Sequence, residues 1–335
     1  GDVTATGSAT YAIPFEVAAG VNGLKPDIGL QYDSQSGDGL AGVGWTLSGF
    51  SKIFRCPETR LLDGQVKGVT YTATDRFCLD GAALVQVGSG TYGADGTEYR
   101  AEVHSYQKVM SRGLRGTGPS YFEVSMPNGL MYTYGYTTDS KIIAPTTNEV
   151  RVWALNSIKD KFDNEIKFAY QSPATGEYVP DSVTWTGKNA DTPPYKLAFT
   201  YGDLDTDLPG AARSGYIWGS QWQATRRLLY VDYIFSGATV HRYTLSYLAG
   251  SSGRSQSGPD LTSSVAKAAY GDYDGDGTTD LFIPVSSSWH VYKADASTGI
   301  FSTDVDLNKA VYGALRGYSL DFDGDGRADL MAVGP

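Results

Sequence analysis

Long apolar runs are absent from this 335-residue sequence. No stretch approaches the roughly 18–20 consecutive apolar residues that a membrane-spanning helix needs, so the sequence predicts no membrane-spanning segment. Basic residues are also scarce, since the formal net charge is −10 and the pI is about 4.8. Nucleic-acid binding requires basic patches, and the charge balance therefore argues against nucleic acid as a partner.

Catalytic motifs are missing as well. The three histidines, His104, His241 and His290, lie in separate strand-like segments without metal-ligand spacing. The sequence has neither a Gly-x-Ser-x-Gly nucleophile elbow nor a phosphate-binding P-loop. Carboxylates are paired only in two Asp-rich segments, residues 272–280 and 321–329. An ion bound there would keep these carboxylates charged and unable to act as acids or bases. The sequence therefore predicts a protein that is not an enzyme.

Cysteine is limited to Cys56 and Cys78. One disulfide in an oxidising compartment and two unrelated buried thiols both fit the spacing, and we take the Cys56–Cys78 bridge as the testable prediction. The first residues, GDVTATGS, have neither the basic nor the apolar part of a signal peptide. Removal of a signal, export without one, or an internal fragment would each explain this start.

Strand-forming residues and turn residues fill most of the sequence. Tyrosine occurs 24 times, aromatic residues make up 13 % and glycine occurs 41 times, which favours many strands joined by tight turns. Residues 121–125 and 130–136 flank an Asn-Gly pair and predict a hairpin, as do residues 150–158 and 165–170 around a polar loop. The best helix candidate, residues 211–216, is short and contains glycine. We therefore predict an all-β fold of many short antiparallel strands.

A change in composition at residues 248–260, a Ser/Gly-rich stretch, predicts a linker. The predicted domains are residues 1–250 and residues 251–335.

An internal repeat follows this linker. The segment that begins with Asp272 (DYDGDGTTD) returns 49 residues later as the segment that begins with Asp321 (DFDGDGRAD). A period of this length with strands in each unit matches a propeller blade. The two segments contain eight aspartates, and their eight negative charges account for most of the net charge of −10.

Calcium explains this spacing physically. It takes six to eight oxygen ligands, and carboxylates at alternate positions of a tight loop, with a glycine at the sixth position, can surround it. The flanking segments are strand-like and no glutamate occupies position 12, so the loops resemble EF-hand loops set in a β framework. The predicted ligands, with the backbone carbonyl contributing at the seventh position, are Asp272, Asp274, Asp276, Thr278, Asp280, Asp321, Asp323, Asp325, Arg327 and Asp329.

Two alternatives to a calcium site fit these loops less well. The loops could be acidic turns without an ion, but two complete nine-residue matches in phase with a repeat argue against this. Magnesium fits less well because it demands octahedral geometry and retains its waters. Asp203, Asp205 and Asp207 also alternate, but no glycine follows at the turn position and we predict a solvated turn there.

Six longer segments carry a resemblance to a known family, namely residues 7–17, 22–26, 32–37, 42–49, 55–57 and 75–81. Through them the first part of the sequence, roughly 250 residues, resembles SpvB-type virulence proteins. Residues 153–170 resemble the hairpins of Rhs and YD-repeat shells, and the Asp-rich repeat resembles FG-GAP/VCBS blades of integrin-type propellers.

This order of segments is similar to the B component of bacterial Tc toxin complexes and to Rhs-type toxins. The resemblance implies a secreted β-shell that encloses a C-terminal toxic effector, with a propeller that docks the shell onto other toxin-complex components. The ADP-ribosyltransferase activity of some SpvB-type proteins belongs to a separate C-terminal domain and is not expected here. The sequence stops inside the second blade, which predicts a fragment of a larger protein, since a propeller needs about four to eight blades.

Two other functions remained open. FG-GAP blades also serve adhesion, so a cell-surface ligand-binding module is the alternative. A glycan-active enzyme with a surface lined by Trp185, Trp218 and Trp222 would need a carboxylate pair, which the sequence offers only in the metal loops.

Overall fold

The structure is a computed structural model that describes residues 2–4, 7–103, 106–188, 192–207, 212–217, 219–247, 269–276, 278–294, 301–310, 316–320 and 327–333. Strands make up 57 % and helices 3 %, which confirms the prediction of an all-β fold. The chain divides into two units, residues 1–246 and residues 247–335. The predicted linker, residues 248–260, lies outside the described residues.

Short strands in chain order build the first unit, with two single-turn helices and a 3₁₀ turn at Val21–Gly23. These elements are β1 (Asp2–Val3), β2 (Ala9–Pro14), β3 (Gly29–Asp33), β4 (Asp38–Gly39), β5 (Gly42–Val43), β6 (Trp45–Ser48), β7 (Lys52–Cys56), α1 (Arg60–Asp63), β8 (Arg76–Leu79), β9 (Ala82–Val87), β10 (Glu98–Ala101), β11 (Lys108–Arg115), β12 (Gly118–Ser125), β13 (Met131–Tyr134), β14 (Lys141–Ile143), β15 (Val150–Lys159), β16 (Asn164–Gln171), β17 (Val179–Lys188), β18 (Tyr195–Asp203), α2 (Leu204–Asp207), β19 (Arg213–Ile217), β20 (Ser220–Ala224), β21 (Arg226–Phe235) and β22 (Ala238–Thr244).

A closed β-barrel lies at the centre of this unit. Strands β7 to β13 pair in sequence order, β7 also pairs with β15, and β13 pairs with β15 to close the ring. Strands β16, β17, β18, β21 and β22 continue from β15 as an open extension of the same sheet. Because β15 belongs to both the barrel and the extension, nine of its ten residues are buried. Strands β1, β2, β3 and β6 form a separate four-stranded sheet.

Aromatic rings fill the barrel. Phe77 stacks on Tyr92. The rings of Phe77, Phe122 and Trp153 meet one another edge-on, with centroids 5.2–5.4 Å apart. All but Tyr92 are buried almost completely, and such edge-to-face contacts add to the hydrophobic stabilisation of the core.

A buried ion pair is packed against these rings. Arg55, on β7, is fully buried, and its Nη1 lies 3.0 Å from Oδ2 of the buried Asp75. Arg55 Nε donates to the carbonyl of Val150 at 2.8 Å, and its Nη2 donates to Thr117 Oγ1 at 3.0 Å. Burying a charge is costly unless it is paired and hydrogen-bonded, and these contacts meet that condition.

The disulfide lies beside this pair. Cys56 on β7 and Cys78 on β8 are joined, with Cα atoms 5.9 Å apart. The bond links two neighbouring barrel strands across a sequence separation of 22.

The loop between β15 and β16 is organised by Asp160. Its carboxylate accepts hydrogen bonds from the backbone N–H groups of Phe162 and Asn164 and from the side-chain amides of Asn164 and Asn22, all at 2.8–3.0 Å. Desolvation of the carboxyl opposes ionisation, but these hydrogen bonds outweigh it and lower the pKa of Asp160 to about 2.

The described residues of the second unit form two antiparallel sheets. Four strands, β23 to β26, pair in order, and β27 pairs with β28. These strands are β23 (Ala269–Gly271), β24 (Asp280–Val285), β25 (Ser288–Ala294), β26 (Phe301–Ala310), β27 (Arg316–Leu320) and β28 (Asp329–Val333). The four-stranded sheet has the size of one blade, but the described residues do not form a closed propeller, so the predicted propeller is not confirmed.

The sequence offers no convincing helix, and residues 213–216 of its best candidate belong to strand β19, which pairs in register with β20 as a hairpin. Residue 211 of that candidate lies outside the described residues. In the part of the chain that the structure covers, no helix has the length and hydropathy to cross a membrane.

Candidate functional site

Three predicted calcium ligands converge in the loop between β23 and β24. Asp272, Asp274 and Asp276 each offer a carboxylate oxygen, and these oxygens all lie within 4.8 Å of one another. The three side chains come together because alternate residues of a tightly turned loop point to the same side.

The loop backbone folds around these carboxylates. Asp272 Oδ1 accepts hydrogen bonds from the N–H groups of Gly275 at 2.7 Å and Asp276 at 3.1 Å. Gly275 has φ of +79°, a left-handed conformation that glycine adopts without strain. Thr278 donates both its N–H and its hydroxyl to Asp276 Oδ1. Gly277, the glycine of the predicted sixth position, lies outside the described residues.

Asp280 is placed differently from the other three. It begins β24, is fully buried, and uses both oxygens for the backbone. Its Oδ2 accepts from Tyr273 N–H at 2.9 Å and its Oδ1 accepts from Ala294 N–H at 2.8 Å. Asp280 therefore fastens the start of the loop to the end of β25.

One cation of the chain already approaches this cluster. Lys293 Nζ lies 3.1 Å from Asp274 Oδ2 and 5.6 Å from the centre of the Tyr273 ring. The set of clustered carboxylate oxygens matches the ligand preference of a hard divalent cation, so the donor chemistry of these residues fits calcium.

The second Asp-rich loop is described only in part. Asp321, Asp323 and Asp325 lie outside the described residues, while Arg327 and Asp329 are described and exposed. The N–H of Ala328, between these two residues, donates to the carbonyl of Asp272 at 2.6 Å. The end of the second loop thus contacts the start of the first loop within the same unit.

The third group of alternating aspartates, Asp203, Asp205 and Asp207, lies where β18 ends and the chain turns. Asp203 pairs with Arg226 at 3.0 Å, and Asp205 Oδ1 accepts from the N–H of Ala212 at 2.9 Å. Asp205 and Asp207 belong to helix α2. Among the side chains that the structure describes, the carboxylates of Asp203 and Asp205 join no group of three that could hold one metal ion together.

Sequence reasoning missed the surroundings of His290 on β25. His290 Nδ1 lies 2.7 Å from Asp304 Oδ1, and its Nε2 lies 3.9 Å from Asp306 Oδ2, both on β26. The two carboxylates face different ring nitrogens, so the three groups do not converge on one ion. Only the register of β25 with β26 brings them together, and no motif in the sequence indicates it. His241 is exposed, and His104 lies outside the described residues.

Trp185 does not belong to the surface that the glycan-enzyme alternative requires. Trp185 is fully buried, and its Nε1 donates to the carbonyl of Ala18 at 3.1 Å. Trp222 is half-buried on β20, and Trp218 lies outside the described residues. Trp185 is therefore a core residue and cannot line an open surface.

Comparison with protein families identifies the first unit. Residues 3–225, more than half of the chain, match the SpvB family, described as the Salmonella virulence plasmid 65kDa B protein. The chain belongs to this family. Residues 272–332 match an FG-GAP-like repeat, which covers both Asp-rich loops.

Solved structures share the fold at low identity. The N-terminal domain of the effector SpvB from Salmonella typhimurium aligns with a TM-score of 0.53 and 18 % identity, covering 67 % of this chain and 87 % of that one. A crystal structure of TcdB2-TccC3-TEV aligns with a TM-score of 0.58 and 17 % identity, covering 96 % of this chain. The Photorhabdus luminescens Tc holotoxin pore aligns with a TM-score of 0.54 and 16 % identity, covering 99 % of this chain.

The aligned lengths differ between these relatives. This chain spans only 20 % of the Tc toxin chains, whereas it spans most of the SpvB N-terminal domain. A search of curated proteins gave no match.

Proposed function

We propose that this chain is the non-catalytic N-terminal part of a secreted bacterial toxin carrier of the Tc/Rhs type. In this role it helps to enclose and deliver a C-terminal toxic effector, and its FG-GAP unit contributes to docking on other toxin-complex components. The observation that carries the proposal is that the alignment with the Tc holotoxin pore covers 99 % of this chain, and therefore both its SpvB-type unit and its FG-GAP unit.

The architecture of the first unit supports an enclosing role. The closed barrel is continuous with an extended sheet through β15, and an extended sheet of this kind suits a place in a larger β-shell. Arg55 and Asp75 are buried polar groups of the barrel and form an ion pair with each other. A buried pair of this kind supports the structure, and neither group is free for acid–base chemistry.

Enclosure can be tested on the complete gene product that contains this chain. Electron cryo-microscopy is expected to reveal a hollow shell, and limited proteolysis is expected to leave the C-terminal segment intact until the shell is denatured. The same segment after heat denaturation is the matched control. An extended particle, or a C-terminal segment cleaved equally fast before and after denaturation, would contradict the carrier role.

Calcium is proposed as the ion of the aspartate cluster. Asp272, Asp274 and Asp276 would hold it, and Thr278 would contribute its carbonyl. The role of the ion would be structural, because the loop joins β23 to β24. The carbonyl of Asp272 in this loop also accepts a hydrogen bond from the N–H of Ala328, which directly precedes β28. Binding of an ion to the folded state alone raises stability by mass action.

This metal assignment has its own experiment on the 335-residue chain. Calcium is expected to raise the melting temperature of the second unit and a chelator to reverse the effect, while Asp274→Asn removes the response. Asp27→Asn changes an exposed carboxylate of the first unit and serves as the control. Equal responses of the two variants, or no response of the unmodified chain, would discard the calcium site without bearing on enclosure.

A further inference from the structure

A polar cleft lies on the outer face of the sheet where the barrel strands meet β16. It has a volume of about 720 Å³, which is within the usual range for small-ligand sites. Its floor is a row of directly opposed residues on four neighbouring strands, β12, β13, β15 and β16. This row consists of Glu123, Thr133, Ser157 and Lys167.

The row faces outward because of the strand alternation. Phe122 and Val124 flank Glu123 on β12 and are fully buried in the barrel, so Glu123 projects from the opposite face. Tyr134 is buried next to Thr133 in the same way. The cleft is therefore separate from the aromatic core.

Two tyrosines line one side of the cleft. The rings of Tyr121 and Tyr136 meet edge-to-face with centroids 5.0 Å apart, and Tyr136 remains 61 % exposed. The N–H of Tyr136 donates to Asn156 Oδ1 at 3.1 Å, which fixes the loop that carries the ring to β15. A large exposed aromatic residue held in this way can stack against a ligand with little loss of freedom.

The charged groups around the cleft neutralise one another. Glu165 lies 3.6 Å from Lys159 Nζ and 3.4 Å from Lys167 Nζ, and Glu123 pairs with Arg112 at 2.7 Å. Three carboxylates, including Asp139, and two ammonium groups line the cleft, with Arg112 paired to Glu123 beside it, so the cleft has no surplus of cations. An anion such as a phosphate would need unpaired cations, so a charged ligand is not favoured.

We propose that this cleft binds a neutral carbohydrate. Sugar hydroxyl groups donate and accept hydrogen bonds at once, which matches the mixture of carboxylate, ammonium, amide and hydroxyl groups that lines the cleft. The C–H groups on one face of a sugar ring pack favourably on the electron-rich face of an aromatic ring, and the Tyr121–Tyr136 pair supplies such a ring at the edge. The ligand class follows from this combination of paired charges and an exposed aromatic residue.

The test uses the 335-residue chain and defined neutral sugars. Lactose, cellobiose, chitobiose and mannobiose are screened by saturation-transfer NMR, and any sugar that binds is measured by isothermal titration calorimetry. Tyr136→Ala is expected to weaken binding about tenfold or more, because it removes the stacking ring. Tyr216→Ala, which removes a tyrosine that is 73 % exposed on β19, is the matched control and should leave binding unchanged.

Three outcomes would overturn the proposal. The first is that none of the four sugars binds. The second is that Tyr136→Ala and Tyr216→Ala bind equally well. The third is that inorganic phosphate binds with chemical-shift changes at the cleft while the sugars do not, which would make it an anion site. Thermal unfolding of both variants checks that each remains folded, as expected for residues this exposed.

Discussion

Replacing Asp75 by alanine is expected to destabilise the barrel strongly. The carboxylate is buried and balances the fully buried guanidinium of Arg55. It also accepts hydrogen bonds from Thr70 N–H and Thr70 Oγ1, both at 2.9 Å, and from Tyr71 N–H at 2.7 Å. The substitution therefore removes the nearer of two carboxylates beside the guanidinium, since Glu149 Oε2 lies 3.8 Å from Arg55 Nη2, and it leaves three further donors without this acceptor.

The size of the effect follows from this count. Removing one partner of a buried ion pair typically costs about 3–5 kcal/mol when the other charge is left unpaired, and the lower end of this range applies here because Glu149 stays beside Arg55. For a unit of this length, 1 kcal/mol corresponds to roughly 2–4 °C, so Asp75→Ala should lower the melting temperature by about 10 °C. Tryptophan fluorescence is a suitable measure, since five of the six tryptophans belong to the first unit.

A surface ion pair provides the comparison. Arg242 and Asp232 make two hydrogen bonds of 2.7 and 2.8 Å on neighbouring strands, but the Arg242 side chain is 48 % exposed. Asp232→Ala should therefore cost no more than about 1 kcal/mol. If Asp75→Ala and Asp232→Ala lowered the melting temperature equally, the argument that burial sets the cost would be refuted.

Three further predictions concern charge and redox state. Lys293→Met removes the ammonium group that contacts Asp274, so calcium should bind roughly fivefold tighter by titration calorimetry, and weaker binding would contradict the assignment. The lowered pKa of Asp160 stabilises the fold above the ordinary carboxyl value of 3.8, and this contribution is lost as the pH falls towards about 2; a carboxyl ¹³C NMR midpoint at 3.8 or higher would disprove it. Reduction of the Cys56–Cys78 bond should cost about 3 kcal/mol in urea unfolding, and two free thiols in unreduced protein would refute the bridge.

Local features of the fold were accessible from the sequence. The Asn-Gly pair at residues 128–129 correctly predicts the hairpin between β12 and β13, with Gly129 at φ of +84°. The hairpin of β15 and β16 was likewise predicted, because alternating apolar residues flank a polar loop. Such signals depend on residues close together in the chain, and they are largely independent of the rest of the fold.

Long-range features could not be predicted in the same way. Closure of the barrel depends on the pairing of β13 with β15, and no residue in either strand specifies that partner. Arg55 is surrounded by groups from residues 71–75, 117 and 150, which the fold alone assembles. The glycan-enzyme alternative would place Trp185 on an open surface, and the sequence does not exclude this because a single tryptophan gives no sign of its burial.

The nine-residue aspartate motif illustrates how much spacing can establish. Alternation correctly indicates that Asp272, Asp274 and Asp276 share one side of a turn, because it is a local property of the backbone. It cannot distinguish a carboxylate that faces this cluster from one that faces the sheet, and Asp280 has the same residue type and the same parity as the others. The difference arises because Asp280 also opens β24, where the N–H groups of Tyr273 and Ala294 reach both of its oxygens. A buried carboxylate that accepts two backbone hydrogen bonds stabilises the loop with or without an ion, so the cluster of three can gather around a cation on a support that is already in place.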